Sequence, residues 1–143
     1  MRSVGHEEAI RRHRPEAVIH SVACPLLVSL AEEGWVDDPI TDAVCRRYLN
    51  ALPYEVKTVV LGCTHYPILK ASLSRARPGT TWIDSGEVAA EAVERLLRNG
   101  LGFRTEGAPG PLRLLLTDAS SRLREVGERF LGESLGGLEL VDL

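Results

Sequence analysis

Short runs rich in Val, Ile and Leu alternate along this chain with stretches whose apolar residues recur every three or four positions. The first pattern predicts strands, the second helices with one buried face. Glu7 to Arg14 reads as a helix stopped by Pro15, and Ala17 to Ala23 (AVIHSVA) as a strand. Leu26, Leu27, Leu30 and Ala31 predict a helix over Pro25 to Glu33, ended by Gly34. Asp38-Pro39 marks a turn, Thr41 a cap for a helix from Asp42 to Leu52, and Pro53 its close. Lys57 to Cys63 (KTVVLGC) is a continuous apolar run, the pattern of a parallel strand buried on both faces.

Tyr66 to Arg75 reads as a helix and Thr80 to Asp84 as a short strand. Ser85 caps a helix over Glu87 to Arg98, which Asn99-Gly100 ends. Gly100 to Pro111 is Gly/Pro-rich and reads as a loop or linker. Leu112 to Thr117 is a strand, Ser120 or Ser121 caps a helix reaching Leu131, and Leu138 to Leu143 is a final strand. Elements alternating at these lengths predict an α/β layered fold with a mostly parallel sheet. A helix with no strand before it, and a strand at the other end, suggest that a partner segment is absent.

Composition narrows the function classes. The chain has 143 residues, 44% hydrophobic and 26% charged, with a net charge of -3, as expected of a globular domain. No Lys/Arg run marks a nucleic-acid surface, and aromatics are too sparse for a base-stacking platform. No apolar stretch approaches the roughly 18 residues that span a bilayer, and no secretory run is seen, so a cytoplasmic location is expected. Cys24, Cys45 and Cys63 are odd in number and widely spaced, without a C-x-x-C pair. Neither a disulfide framework nor a structural zinc site is expected.

The chemistry concentrates at VVLGCTHYP, Val59 to Pro67. Ligands of open parallel sheets bind at the carboxyl ends of strands. Gly62 admits a close approach to the backbone, and Cys63 would stand where the next helix's positive end favours thiolate. Pro67 suits that helix's first turn. Thr64 and His65 add a hydroxyl and a titratable imidazole. Against this, a lone Cys in an apolar strand is usually inert and buried. Cys24, before PLL, also follows an apolar run, and from the residues alone it could face Cys63 across one site. It lacks a preceding Gly and a following polar cluster, which favours a core role; Cys45 lies on an amphipathic helix. Glu32 and Glu33 close their helix against its dipole, from solvent exposure or from function. Asp84-Ser85-Gly86 and Thr117-Asp118 read as caps.

GCTHYPIL at Gly62 to Leu69 resembles the second-cysteine motif of glutamate racemases, in the Asp/Glu racemase family. ACPLLVSLAEEGW at Ala23 to Trp35 is similar to that family's ACPLFVPLVEEGW, with Ser29 where Pro is usual. WIDSGEVAAEAVERLL at Trp82 to Leu97 is similar to its IDSG segment and following helix. Three matches in order are far more specific than one. The resemblance implies two α/β domains across a cleft, each supplying one cysteine, and cofactor-independent exchange of L- and D-glutamate, the D-form serving peptidoglycan synthesis. One thiolate takes the α-proton and the opposite thiol returns one. Carried over residue by residue, Cys63 is the second catalytic cysteine, His65 its assistant and Glu32 an auxiliary acid/base group. Thr64 and Gly62 bind substrate, and Cys24 is not catalytic.

The family's DSGxGG segment and its C-N-T motif are not found here, and SVGH at Ser3 to His6 stands where SGAY is usual. The resemblance therefore implies a C-terminal portion: residues 1–84 as the second domain with the Cys63 half-site, and 85–143 completing the other. The fold expected is an incomplete parallel-sheet α/β of this type, one domain plus part of the second. Its exposed apolar surface calls for a second copy or the missing N-terminal half, and the isolated chain is expected to be inactive or weak. The competing readings are a non-catalytic binding module, and a racemase for aspartate or hydantoins.

Overall fold

The computed structural model describes residues 4–102, 107, 110, 113–117 and 121–142. Ser3, most of the Gly100–Pro111 run, and the expected roles of Leu112, Asp118, Ser120 and Leu143 lie outside the described residues. The chain divides into two compact units, Met1–Leu96 and Leu97–Leu143. The division falls beyond Asp84, so the helix that follows Asp84 stands with the first unit.

In the first unit, α1 (Val4–His13), α2 (Pro25–Glu32), α3 (Pro39–Leu49) and α4 (Lys70–Ala76) accompany β1 (Thr58–Leu61) and β2 (Thr81–Asp84). The strands pair in parallel, from Thr58 opposite Thr81 to Leu61 opposite Asp84. A 3₁₀ turn (Tyr66–Leu69) precedes α4, and α5 (Ser85–Leu96) follows β2. Parallel pairing agrees with the α/β expectation, and among the described residues this sheet has two strands.

Each helix end has a local cause. Pro25 and Pro39 start α2 and α3, where a missing N–H costs nothing. Asp38 caps α3, its carboxylate accepting from the Ile40 amide at 2.7 Å. Thr41 was the expected cap; its hydroxyl is instead buried and donates to the Trp35 carbonyl. Gly34 adopts φ 81°, and the amides of Gly34 and Trp35 donate back to Ala31 and Leu30. That left-handed cap ends α2 at Glu32, with Glu33 as the half-in residue. Asp84 caps α5 by accepting from the Gly86 amide, so Ser85 is already helical.

The core is built from Leu27, Leu30 and Ala31 of α2, Cys45 and Leu49 of α3, Leu61, Leu69 and Leu73. Each fully buried leucine contributes roughly 1.5–3 kcal/mol relative to exposure. Two expectations fail here. Ala17 to Ala23 is irregular rather than a strand, and Val18 is 83% exposed: β-propensity cannot form a ladder without a neighbouring strand. Lys57 to Cys63 was expected to be buried on both faces. Its strand is shorter, with Thr58 and Val60 exposed, because the core elements cover one face.

In the second unit β3 (Leu114–Leu116) and β4 (Leu138–Leu140) pair in parallel, Leu114 opposite Leu138, with α6 (Ser121–Leu131) between them in sequence. A single wide turn, Leu97–Leu101, precedes them.

Candidate active site

The loop that leaves β1 carries Gly62, Cys63, Thr64 and His65 in succession. Leu61 is anchored in the core at one end and Leu69 at the other. Between them the chain must bend, and the Tyr66 amide donates to the Cys63 carbonyl at 3.1 Å. The expected continuous helix from Tyr66 to Arg75 divides into the 3₁₀ turn and α4. Cys63 therefore stands before a short turn, not at the mouth of a long helix whose dipole would act on it.

The loop's side chains converge with one distant residue. Cys63 Sγ lies 3.8 Å from His65 Nδ1, and Thr64 Oγ1 lies 3.5 Å from the same nitrogen. His65 Nε2 is 3.3 Å from Glu32 Oε1. A carboxylate at Nε2 holds a proton there, leaving Nδ1 able to accept from the thiol or the hydroxyl. Thiol, imidazole and carboxylate thus form a relay open to solvent, with the His65 side chain 26% and that of Glu32 48% exposed. Glu32, the last residue of α2, thus pairs with the imidazole. The left-handed cap at Gly34 sets where α2 stops and so where Glu32 is presented.

The three thiols have different surroundings. Cys63 is half-buried at the end of the loop, and Cys24 is half-buried beside the core, its Sγ 3.7 Å from the Val22 carbonyl. Cys45 is fully buried. Burial pushes the Cys24 and Cys45 thiols up to about 11. Both are therefore overwhelmingly protonated at neutral pH.

Sequence reading missed two residues here. Tyr66 donates its hydroxyl to the Cys24 carbonyl at 3.2 Å, tying the site loop to the start of α2. Burial raises its phenol above the ordinary value. Tyr66 lay inside the recognised motif, but nothing in the sequence marks a hydrogen bond 42 residues away. His6 of α1 borders Gly62. No cluster of three or more His, Cys, Asp or Glu suited to a metal occurs among the described residues. No helix there is long and apolar enough to cross a membrane.

A thiol, an imidazole and a carboxylate in succession, at the carboxyl end of a parallel strand, can take up and return a proton. No family model matches the chain. It is 45% identical to the glutamate racemase of Syntrophus aciditrophicus, over 99% of this chain and 53% of that protein. It superposes on the crystal structure of glutamate racemase from Francisella tularensis in complex with D-glutamate with a TM-score of 0.87. Identity there is 32%, over 98% of this chain and 53% of that one. Glutamate racemase from Thermus thermophilus, in complex with β-chloro-D-alanine, gives 0.81 at 36% identity, covering 96% and 53%. The family that sequence and fold match is thus glutamate racemase, and the chain spans about half the length of the relatives it matches.

Proposed function

We propose that this chain is the second-cysteine half of a glutamate racemase. In this reading Cys63 exchanges the α-proton of glutamate without a cofactor. His65 receives or returns the thiol proton through Nδ1, and Glu32 holds the imidazole in the tautomer that allows it. Thr64 and the bare backbone at Gly62 contact substrate. Inversion at one carbon requires a base on one face and an acid on the other. One thiolate removes the α-proton while the opposite thiol protonates the other face, so the two sulfurs exchange protonation states in each turnover.

The carrying observation is the 3.8 Å and 3.3 Å sequence of contacts from Cys63 through His65 to Glu32, in a chain similar to glutamate racemases along its length. The opposite thiol belongs to the half that this chain does not match. Residues 85–143 serve that half in the complete enzyme, although α5 groups with the first unit here. Cys24 and Cys45 are poor substitutes, because burial keeps them protonated. The chain alone is inactive or weak, and the product of the complete enzyme, D-glutamate, serves cell-wall synthesis in the cytoplasm.

The test is α-deuterium incorporation into L- and D-glutamate in D2O, for the chain alone and with a complementary racemase half supplied. The expected result is incorporation in the supplemented sample, reduced by about a hundredfold or more in Cys63→Ala. A folded complex with no incorporation supports a binding module instead. Preference for aspartate in the same assay reassigns the substrate.

A further inference from the structure

We propose that Tyr66 is a positioning residue for proton exchange at Cys63; this deepens the racemase reading above and rests on it. Tyr66 directly follows His65, and the two side chains hold opposite ends of one helix. His65 Nε2 lies 3.3 Å from Oε1 of Glu32, the last residue of α2. Tyr66 donates its hydroxyl to the carbonyl of Cys24, the residue before α2 begins, at 3.2 Å. The eight residues of α2 span about 12 Å at the α-helical rise. Consecutive side chains of the site loop therefore reach in opposite directions along α2 and grip both of its ends.

One grip would let the loop turn about it; two fix its register along the helix. The grip at Glu32 is exposed and weak by itself. The grip at Cys24 is the firmer one, because the Tyr66 ring is half-buried against the core, where water competes less for the bond. Cys24 gives α2 no side-chain cap; its carbonyl accepts from the Leu27 amide at 3.1 Å and has a second lone pair for the Tyr66 hydroxyl. The Tyr66 amide donates to the Cys63 carbonyl at 3.1 Å, so the residue that grips Cys24 also closes the turn carrying the thiol. Hydrogen bonds weaken steeply with misalignment. A turn of the loop therefore costs both the Glu32–His65 contact and the 3.8 Å approach of Cys63 Sγ to His65 Nδ1.

Tyr66→Phe keeps the ring and removes the hydroxyl. Tyr48→Phe is the control, since the Tyr48 hydroxyl accepts from the Leu26 amide at the same end of α2. Urea unfolding establishes that each variant is folded. Two readouts follow the site: the His65 tautomer by nitrogen NMR, and the iodoacetamide rate at Cys63 at neutral pH by mass spectrometry. In Tyr66→Phe the proton is expected to spread from Nε2 to both ring nitrogens, and the Cys63 rate to fall about two- to fivefold, the range of an exposed ion pair. Glu32→Gln is expected to do the same, the double variant to lose no more than the larger single loss, and Tyr48→Phe to move neither readout. Coupling is reciprocal, so Glu32→Gln with Tyr66 intact is also expected to shift the Cys24 carbonyl carbon resonance. Should Tyr66→Phe not fold, that resonance decides, and its staying put overturns the role of Tyr66. Unmoved readouts in folded Tyr66→Phe, additive losses in the double variant, or an equal effect of Tyr48→Phe overturn it too, and leave the thiol–imidazole–carboxylate site standing. A Cys63 rate indifferent to Glu32→Gln and to Tyr66→Phe overturns the reading beneath it.

Discussion

In Met1–Leu96, leucines from α2, α3, β1 and α4 meet around Ala31 and Cys45 and leave almost no surface to solvent. In Leu97–Leu143, Leu135 is the buried apolar side chain among the described residues, while Leu115 and Leu140 are 57% and 65% exposed. Polar contacts hold this second unit's turn in place. Arg124 donates to the Leu135 carbonyl at 2.7 Å, and Glu128 accepts from the Leu135 amide and the Ser134 hydroxyl at 3.1 Å. Among the described residues, a segment can therefore be apolar in sequence and still leave its leucines exposed, because burial needs a second surface. The helix α5 shows the same thing: Val88, Val93 and Leu96 are exposed, and none of its residues is buried.

This contrast breaks most readily at Leu69. Leu69→Ala removes a fully buried side chain from the centre of the first unit and is expected to cost about 2–5 kcal/mol in denaturant unfolding. Leu115→Ser, on the exposed strand of the second unit, is expected to stay within about 0.5 kcal/mol. Equal losses at the two positions would show that the second unit has a core of its own.

Next in size is Arg77. Its guanidinium donates to the carbonyls of Leu49, Leu52, Pro53 and Val56 and closes the segment between α3 and β1. Arg77→Ala is expected to cost about 1.5–3 kcal/mol by the same measurement. Arg77→Lys should recover little, since an ammonium cannot span several carbonyls as the planar fork does. Full recovery with Lys would mean that charge alone matters there.

The half-buried Cys24 and the buried Cys45 add a smaller, pH-dependent contribution. Burial raises Cys24 and Cys45 from 9.0 to about 11, so the folded state resists thiolate formation more than the unfolded chain does. That contribution is fully present below pH 9 and is lost as pH rises from about 9 towards about 11. Unfolding followed across that window should show falling stability, and Cys45→Ala should flatten the fall. The smallest effect is at the Lys70–Glu87 pair, whose side chains are 39% and 62% exposed. Lys70→Ala is expected to change stability by less than about 0.5 kcal/mol.

How much of this was legible in the sequence follows from how local each cause is. The helix over Pro25–Glu32, the cap at Gly34 and the paired strands around Val60 and Ile83 follow from spacing, proline, glycine and apolar runs. Gly62 to His65 also declared themselves, as a polar cluster at the end of an apolar strand. The approach of Glu32 to His65 was available only through a family resemblance, because it joins two elements that sequence alone does not bring together. The strand expected at Ala17 to Ala23 and the double burial of Lys57 to Cys63 erred for one shared reason. Both assumed neighbouring surface that residue pattern cannot supply. His6 at Gly62 had no local signal at all.

The account turns on one half-buried thiol that meets an imidazole, while burial holds the other two protonated. Competitive alkylation of the folded chain at neutral pH, read cysteine by cysteine, measures that difference directly. Cys63 should be modified first and nearly alone, with Cys24 and Cys45 reacting only after denaturation or well into alkaline solution. Comparable rates at all three sulfurs in the folded chain would contradict it.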